Sequence, residues 1–586
     1  MILLIPSQKK YIKDNFKRLT IVQMSEVLNI PPKTIDKFLK NHLGRKQYEK
    51  LLRRNEKNHL IIRKNEQVNY SFNFKIFLAD NINYFLLLFA IIFIVYFNSL
   101  GNGFVSDDIG GILKNPDLNN LKAVFSFGQG FVQKFIYYIT FNLFGNNPTF
   151  FRIFNEIFHL GSTFLVFIIL STLTKKRLVA LFAAVIFAVH PILIESVTWI
   201  SGMPYTVYSF FLLLSFLFYI LSKDNRKIYL ASLAFFILAV NSSEKAIVFF
   251  FIMALYEISL GNIKNNWKRL IPYFLLNFVL IINYAGKVGQ RLSSLEVSHY
   301  QDSGGMYNPF VQIPIAIGNY LKLIFWPDKL TLYQTEMSFN TAAYLFYLLI
   351  FLIFLAVFFW GWKKNKTVFF WTSFFFVSLL QTLTPFKISW IVAERYVYLG
   401  SIGIFVVVAM FFNWIFEKAR EKNEKYKYAA LALFAIIILS LSVRTIIRNM
   451  DWKNEDTLWI STAKTSPSGP NIHNNLGDVY GRQGNTEKSI EEFKKAIEIN
   501  PQYADAYHNL ASAYKETGKI DEAIENYKKA IEFNPNLWQS YQNLAAIYFD
   551  QEKYPEAYEN MEKALKINPT DENIKKNLDL LGAKLK

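Results

Sequence analysis

The amino-acid sequence predicts an all-α protein, in which a polytopic bundle of membrane helices is followed by an α-solenoid. Long apolar runs recur through the middle of the 586-residue chain, which is 52% hydrophobic and 17% aromatic. Runs of about 18 residues or more match the hydrocarbon thickness that a helix must cross. A period of 34 residues follows near the C-terminus. We therefore expect a basic segment over residues 1–80, a membrane domain over 81–450, and repeats with their linker over 451–586.

The N-terminal segment is strongly basic. Residues 1–80 hold 17 Lys and Arg against 7 Asp and Glu, about half of the net charge of +19. Such a segment before a first span normally stays in the cytoplasm, where anionic lipid headgroups attract it. Residues 11–39 resemble a small helix-turn-helix, whose turn spans Asn29 to Pro32. The sequence favours an appendage that docks on lipid or on the protein's own loops over DNA binding, so we expect no nucleic-acid partner.

The apolar runs predict eleven membrane spans. They lie at residues 84–100, 156–173, 178–190, 203–221, 228–241, 246–260, 270–285, 341–360, 367–385, 397–416 and 428–446. Basic loops alternate with uncharged ones, and the positive-inside rule assigns the basic loops to the cytoplasm. Counting the apolar stretch 311–325 as a span would break this alternation, so we predict a re-entrant or surface helix there. The scheme predicts a multi-pass protein of a bacterial-type inner or plasma membrane, with a cytoplasmic N-terminus and repeats on the outer face.

The C-terminal region repeats every 34 residues. Prolines, tyrosines and alanines each recur at this spacing: Pro467, Pro501, Pro535 and Pro569; Tyr480, Tyr514 and Tyr548; Ala496, Ala530 and Ala564. Together with Gly484 and Gly518 between paired helices, this period is typical of tetratricopeptide repeats. Each helix pair buries its apolar face on the next pair. We predict about three repeats and a closing helix, which bind an acceptor protein or peptide in a groove.

An asparagine column has the same spacing. Its members are Asn475, Asn509, Asn543 and Asn577. Amides at regular intervals can hold a peptide backbone without reading its sequence. The alternative is that asparagine is simply common at this position of the repeat.

Two adjacent carboxylates, Asp107 and Asp108, follow the first predicted span. An ionised side chain near hydrocarbon costs on the order of 3 kcal/mol or more, so such a pair indicates chemistry. Neighbouring carboxylates raise each other's pKa, and one of them can then act as a general base. The alternative is a capping or turn role.

Further candidate residues fall on the same predicted outer face. They are His190, Glu195 and Trp199 in one loop, Glu244 in another, and Glu394, Arg395 and Tyr398 at the end of the tenth span. Arg395 is placed to bind a phosphate bidentately at the headgroup level. The alternative role of Arg395 is a salt bridge with Glu394 or with an aspartate of the first loop. Glu244 is expected to pair with Lys245.

These residues indicate a lipid-phosphate donor that reacts in the outer leaflet. The chain has no cysteine, which excludes disulfides and thiolate metal sites. No strong metal-ligand spacing is present, so we predict no metal site and leave dependence on a divalent metal open. The donor is the substrate, and no separate cofactor is predicted.

Three motifs resemble the transmembrane and tetratricopeptide-repeat O-mannosyltransferases. They are residues 104–108, 190–202 and 393–399. A fourth match is the linker between the last span and the repeats, with Asp451, Trp452, Glu455 and Leu458. The resemblance runs from about residue 84 to the end of the chain and leaves residues 1–80 outside.

The resemblance implies a fold of the GT-C glycosyltransferase superfamily and a polyprenyl-phosphate sugar as donor. It implies an acidic residue of the first loop as the base, which we assign to Asp107 first and Asp108 second. It further implies that Arg395 lies near the donor phosphate and that the anomeric carbon is inverted. No bound nucleotide is implied, because the lipid phosphate is the leaving group.

The sequence departs from the family pattern at three places. Ser106 stands where the family has Trp, and Met203 to Tyr205 stand where it favours Arg-Ala-Asp. A Lys-Glu pair of the family is here Ser243-Glu244, with Lys245 on the far side of the Glu. These departures leave the sugar and the acceptor open.

The leading hypothesis is a glycosyltransferase that moves a sugar, mannose by analogy, from a polyprenyl phosphate to a protein hydroxyl, with the repeats recruiting the acceptor. One alternative is a non-enzymatic membrane-anchored scaffold. Another is a glycan ligase or polymerase that acts on lipid-linked glycans.

Overall fold

A computed structural model describes residues 4–16, 19, 21–28, 30, 32–43, 48, 74–125, 130–222, 225–297, 308–332, 334, 340–383 and 392–585. All regular structure in these residues is helical, so the prediction of an all-α fold is confirmed for them. The chain divides into two compact units, Met1–Asn83 and Tyr84–Lys586. The repeats and the membrane helices from Tyr84 onward belong to the second unit.

The N-terminal unit has a small hydrophobic core of its own. Its helices are Pro6–Asn15, Ile21–Leu28 and Pro32–Leu43. Ile12, Met24, Ile35 and Leu39 are buried together in its core. The second predicted helix of the helix-turn-helix, residues 33–39, lies within Pro32–Leu43. The predicted turn falls partly on residues outside the described part of the chain.

Six helices of the described residues are long and apolar enough to cross a membrane. They are Phe74–Ser99, Pro148–Thr174, Ile200–Leu221, Thr341–Lys364, Glu394–Lys422 and Tyr426–Asp451. Two further helices, Arg177–Val189 and Pro191–Val197, meet at a bend of 56°. If this bent pair counts as one span, the described residues contain seven candidate spans. The remaining predicted spans fall on Arg226–Ser242, Phe249–Ser259, Ile263–Val297 and Lys366–Leu379. Because none of these four combines the length and the hydropathy of the first six, the count of eleven stays a prediction.

The apolar stretch that we did not count as a span forms the helix Pro309–Phe325. Its 17 residues lie at the short end of the length that crosses the hydrocarbon core. Eleven of them are buried among neighbouring helices. A Cβ on Gly318 would lie only 2.8 Å from the carbonyl oxygen of Tyr347, so the two helices are in close backbone contact. This burial favours the re-entrant over the surface alternative.

The segment between the first two predicted spans contains helices that the sequence analysis did not predict. They are Leu121–Phe125 and Phe131–Phe144. Tyr137 of the longer helix packs in a cluster with Phe151, Ile200 and Met203. A helix of 14 residues gives no span signal, which is why the apolar pattern missed it. Its packing makes this segment a folded cap beside the membrane helices.

The repeats form three helix pairs and a closing helix, as predicted. The pairs are Pro470–Arg482 with Thr486–Ile499, Ala504–Glu516 with Ile520–Phe533, and Trp538–Asp550 with Tyr554–Ile567; the closing helix is Glu572–Lys584. Gly484 and Gly518 both have φ near +75°, so they adopt the left-handed conformation that ends a helix within each of the first two pairs. The linker helix Glu455–Thr465 packs on the first repeat helix.

We expect Leu544→Ala to destabilise the repeats by about 2–5 kcal/mol, because it leaves a cavity in their core. Leu544 is 2% exposed there. Leu580→Ala is the matched control, since Leu580 is 58% exposed, and should change stability by less than about 0.5 kcal/mol. Pulse proteolysis of the full chain in detergent, across a urea series, measures both effects. Equal protection of the two variants would contradict the packing described here.

Candidate active site

A buried arginine fixes the loop that carries the aspartate pair. Arg152 is fully buried in the helix Pro148–Thr174. Its guanidinium donates to the carbonyl oxygens of Asn102 (2.7 Å), Gly103 (2.9 Å) and Thr198 (2.7 Å). The first two carbonyls belong to the segment 101–108, which ends in the aspartate pair and is called the aspartate loop below. The third carbonyl belongs to the segment 190–202. One side chain therefore holds two separate predicted site segments together.

Asp108 is buried and serves the loop's own structure. Its Oδ1 accepts hydrogen bonds from the backbone N–H and the hydroxyl of Ser201, at 2.8 and 2.5 Å, and its Oδ2 accepts from the Val105 N–H at 3.2 Å. Burial raises the pKa of Asp108 to about 6, although these hydrogen bonds and Arg152 favour the ionised form. Both carboxylate oxygens thus have protein partners.

Asp107 opens onto a cavity of about 400 Å³. The side chains and backbone that line it come from the cap, from the aspartate loop and from Ser201: Asp107, Gly111, Ile112, Asn115, Asp117, Leu118, Ala123, Val124, Gly130, Gln133, Lys134, Tyr137 and Ser201. One wall is ordered by a hydrogen-bond chain, in which Gln133 donates to the Tyr137 hydroxyl and this hydroxyl donates to the Ile200 carbonyl. A polar ligand can therefore meet Asp107 in a preformed pocket.

The surroundings tune the acidity of Asp107. Although this side chain opens onto the cavity, the nearby protein removes enough water to raise its pKa. The positive charge of Arg395 lowers that pKa, and the negative charge of Glu455 raises it. Asp107 and Asp108 are adjacent in sequence, but only Asp107 combines this electrostatic environment with access to a ligand.

Glu195 and Arg395 form a buried ion pair. The Arg395 guanidinium pairs with Oε1 of Glu195, and the Arg395 backbone N–H donates to Oε2 at 2.7 Å. The Glu195 side chain is fully buried, whereas that of Arg395 is 12% exposed. Arg395 thus pairs with Glu195, which the sequence analysis placed on the same face but did not pair with it. Glu195 orients the guanidinium and neutralises part of its charge.

Aromatic rings surround the arginine. The Arg395 Cζ lies 5.7 Å from the ring centre of Trp199 and 5.0 Å from that of Tyr396. The Trp199 indole N–H donates to the Val105 carbonyl at 3.3 Å, which links the arginine's neighbours to the aspartate loop. Trp199 thus lies beside Arg395 and the aspartate loop, and its role as a site residue stays a prediction.

Lys245 is a further cation of this group. Its Nζ lies 4.4 Å from the ring centre of Tyr396 and 5.6 Å from that of Tyr205. The neighbouring Glu244 is half-buried, and its backbone carbonyl accepts from the Gln381 amide at 3.0 Å. The sequence analysis named Glu244 and not Lys245 as the candidate. The sequence feature that could have identified Lys245 is its position directly after Glu244, where the family has the lysine before the glutamate.

Three other predicted site residues make contacts that hold the helices together. The two ring nitrogens of His190 contact the Ile324 carbonyl at 2.8 Å and the Ile192 N–H at 3.2 Å. The Tyr398 hydroxyl is 2.9 Å from Nδ1 of His159. Glu394 accepts from the Thr331 N–H and lies 3.6 Å from the Arg448 guanidinium. These described contacts do not bring the three side chains into the group around Arg395.

The four asparagines of the column are all partly exposed on the first helices of the repeats and on the closing helix. Asn509 donates to the Asn474 side chain of the preceding repeat at 3.0 Å. The Asn543 side chain hydrogen-bonds to Tyr527. Two of the four amides therefore also serve contacts within the array. Binding of a peptide by the column stays a prediction.

Among the residues that the structure describes, no group of three or more His, Cys, Asp or Glu side chains is arranged to hold a metal ion. The dependence of the reaction on a metal is untested by this observation.

Comparison with known proteins supports the resemblance found from the motifs. A family model described as dolichyl-phosphate-mannose-protein mannosyltransferase matches residues 129–285. Two tetratricopeptide-repeat models match residues 470–536 and 538–571. The mannosyltransferase match begins after the aspartate pair, so it does not itself include Asp107 or Asp108.

Curated relatives are named as protein O-mannosyl-transferases. The human protein O-mannosyl-transferase TMTC3 is 25% identical over 481 residues, which cover 72% of this chain and 52% of the relative. The protein O-mannosyl-transferase F38B6.6 of Caenorhabditis elegans is 24% identical over 461 residues, 72% of this chain and 64% of the relative. The chain spans about half the length of the first of these relatives. The predicted resemblance to the transmembrane and tetratricopeptide-repeat O-mannosyltransferases is confirmed.

Solved structures of tetratricopeptide-repeat proteins are similar to part of this chain. The first tetratricopeptide domain of Spaghetti (RPAP3), bound to an HSP90 peptide, is 23% identical and covers 20% of this chain and 92% of that chain, with a TM-score of 0.19. The YrrB protein, described as a TPR protein with an unusual peptide-binding site, is 17% identical and covers 27% of this chain and 94% of that chain, also with a TM-score of 0.19.

We expect Glu195→Ala to destabilise the protein by about 3 kcal/mol or more, because it leaves the Arg395 charge without its buried partner. The measurement is the apparent unfolding temperature in detergent. Glu421→Ala is the control, since Glu421 pairs with Lys418 at 2.8 Å on the surface and is 63% exposed; it should leave the unfolding temperature unchanged. Equal unfolding temperatures for the two variants would contradict the buried pair.

Proposed function

We propose that the protein is a membrane glycosyltransferase that moves a sugar from a polyprenyl phosphate to a hydroxyl group of an acceptor protein. The observation that carries this proposal is the placement of Asp107, which faces a preformed cavity of mixed polar and apolar lining and lies under the electrostatic influence of Arg395. The match of residues 129–285 to mannosyltransferases supports the reaction class and makes mannose the first sugar to test.

In this proposal Asp107 is the general base. Its carboxylate takes the proton of the acceptor hydroxyl while that oxygen attacks the anomeric carbon of the donor sugar. The bond between the anomeric carbon and the phosphate oxygen breaks, and the polyprenyl phosphate leaves with the electron pair. Direct displacement inverts the anomeric carbon. A base with a raised pKa suits this task, because a more basic carboxylate accepts the proton more readily.

Asp108 has a supporting role in the same proposal. Its bonds to Ser201 and Val105 occupy both carboxylate oxygens and keep the loop closed on the segment that carries Trp199. This burial favours Asp107 over Asp108 as the residue that meets the acceptor. It also supports the order in which the resemblance assigns the two aspartates.

Arg395 binds the donor phosphate in this proposal. A guanidinium has five N–H donors, so its pairing with Glu195 is compatible with a phosphate contact. The Lys245 ammonium beside Tyr396 adds a second positive charge to this side of the site. Both cations also stabilise the negative charge that develops on the leaving phosphate.

The repeats recruit the acceptor in our proposal. Tetratricopeptide arrays present extended concave surfaces, and the asparagine column supplies partly exposed amides on one helix of each repeat. We place the repeats and the site on the outer face and the N-terminal basic unit in the cytoplasm, following the charge of the loops. A scaffold without activity accounts for the repeats equally well, but gives no reason for the cavity at Asp107.

The decisive assay uses purified full-length protein, labelled polyprenyl-phosphate sugars and candidate acceptor proteins. Labelled protein supports the proposal, whereas a labelled lipid-linked glycan favours the ligase or polymerase alternative. Restoration of a deletion phenotype by the repeats alone would favour the scaffold.

Asp107→Asn should lower the transfer rate by about 10²–10⁴-fold, since the amide cannot take the proton. The fold and the membrane insertion should persist, because the Asp107 side chain is exposed to the cavity. Asp328→Asn changes an exposed carboxylate outside the site and serves as the control. Single-turnover rates with labelled donor measure the effect. Wild-type transfer by Asp107→Asn would refute the base assignment.

Arg395→Lys should raise the donor KM about tenfold, because an ammonium loses the bidentate geometry of the guanidinium. The KM of the acceptor should stay the same. Steady-state kinetics with each substrate varied in turn separate the two constants. The assignment of Arg395 to the phosphate fails if only the acceptor KM changes.

A further inference from the structure

The linker to the repeats contacts the aspartate loop directly. The Gly103 N–H donates to the Lys453 carbonyl at 2.8 Å. The Ser106 N–H donates to the carboxylate of Glu455, at the first position of the helix Glu455–Thr465. Each contact joins residues about 350 positions apart in the chain. The loop is therefore bonded on one side to the membrane helices through Arg152 and on the other side to the linker.

The residue next to Asp107 has a backbone conformation that needs support. Ser106 has a φ of 54°, in the left-handed region. This region is unfavourable for an L-residue other than glycine and persists where surrounding contacts enforce it. The backbone conformation of Ser106 sets the direction in which the Asp107 side chain points. Contacts that hold the Ser106 backbone therefore also orient the Asp107 carboxylate.

Glu455 is itself held rigidly. Its second carboxylate oxygen accepts from the Trp459 indole N–H at 2.9 Å. The helix start is closed by a capping box, in which Asn454 and Thr457 exchange side-chain and backbone hydrogen bonds at 2.9 and 3.1 Å. A carboxylate in the first turn also interacts favourably with the helix dipole. The acceptor that Ser106 meets is thus fixed in place before any substrate binds.

We propose that Glu455, a residue of the repeat linker, is a positioning residue that aims the Asp107 carboxylate into the cavity and acts on it through its negative charge. The inference rests on the proposed function, in which Asp107 is the base. It makes the linker a part of the active site, in addition to its role as a connection to the repeats.

Several charged groups face Asp107, and their effects have different signs. Arg395 favours the ionised form and Glu455 opposes it. Lys134 and Asp117 line the same cavity, and Asp108 is the neighbour in the loop. Desolvation by the surrounding protein is the largest cause of the raised pKa of Asp107. Removal of the Glu455 charge should therefore lower this pKa while desolvation and the Arg395 charge remain.

Two substitutions separate charge from geometry. In Glu455→Gln the amide oxygen can still accept from the Ser106 N–H, but the negative charge is gone. In Glu455→Ala both are lost, and the left-handed Ser106 has no side-chain acceptor from the linker. Trp459→Phe removes the indole contact of Glu455 without touching Ser106. Asp456→Asn removes a charge from the adjacent residue, which pairs instead with Arg482 at 3.0 Å on the first repeat helix.

The first measurement is the pH dependence of kcat/KM for transfer by the full chain. A base acts in its deprotonated form, so activity rises with pH through the pKa of Asp107. The acidic limb should move to lower pH in Glu455→Gln and stay in place in Asp456→Asn and Trp459→Phe. Glu455→Ala should lower kcat about tenfold with an unchanged donor KM. Wild-type profiles in both Glu455 variants would overturn the inference.

The second measurement needs no transfer activity. The chain contains no cysteine, so Asp107→Cys places a single thiol at the position of the base. The rate of its alkylation by iodoacetamide rises with the thiolate fraction. Adding Glu455→Gln should shift the midpoint of this rate to lower pH, and adding Asp456→Asn should not. An unshifted midpoint refutes the inference even if the wild-type protein transfers sugar. If the midpoint shifts but the wild-type protein transfers no sugar, the effect of Glu455 on position 107 is upheld and only the proposed function is rejected.

Discussion

The buried guanidinium of Arg152 is the contact on which the arrangement of the site depends. A charge in the interior is costly unless its hydrogen-bond donors are satisfied. Each of the three side-chain nitrogens of Arg152 donates to a carbonyl oxygen, and these oxygens come from two segments that are separate in the chain. Without it, the aspartate loop and the segment of Trp199 and Ser201 would lack their common anchor. The bonds from Ser201 to Asp108 and from Trp199 to Val105 join the same two segments.

The environment then separates two residues of the same type. Asp108 is enclosed and bonded on both oxygens, whereas Asp107 faces the cavity between a positive and a negative neighbour. Two carboxylates with different surroundings can take different roles, as acid–base sites commonly require. Sequence adjacency hides this division, because consecutive side chains at the start of a helical turn point in different directions.

The membrane helices from Tyr84 onward and the repeats form a single compact unit. The segment that connects them also contacts the site. Trp452 is fully buried, with its ring centre 5.8 Å from that of Trp199. Glu455 contacts the aspartate loop, while the adjacent Asp456 contacts Arg482 of the first repeat. The surface proposed to bind the acceptor and the residue proposed to activate it are therefore linked through two neighbouring side chains.

The sequence by itself determined the features that depend on local periodicity and composition. Apolar runs located the membrane helices, the period of 34 located the repeats, and the isolated polar residues near the spans directed attention to Asp107, Glu195 and Arg395. Tertiary structure decided which of these residues meet. It paired Arg395 with Glu195, turned His190 and Tyr398 toward helix packing, and brought Arg152, Lys245 and Glu455 to the site. The reason is that such contacts join segments from about 50 to 350 residues apart, and no repeating pattern along the chain encodes them.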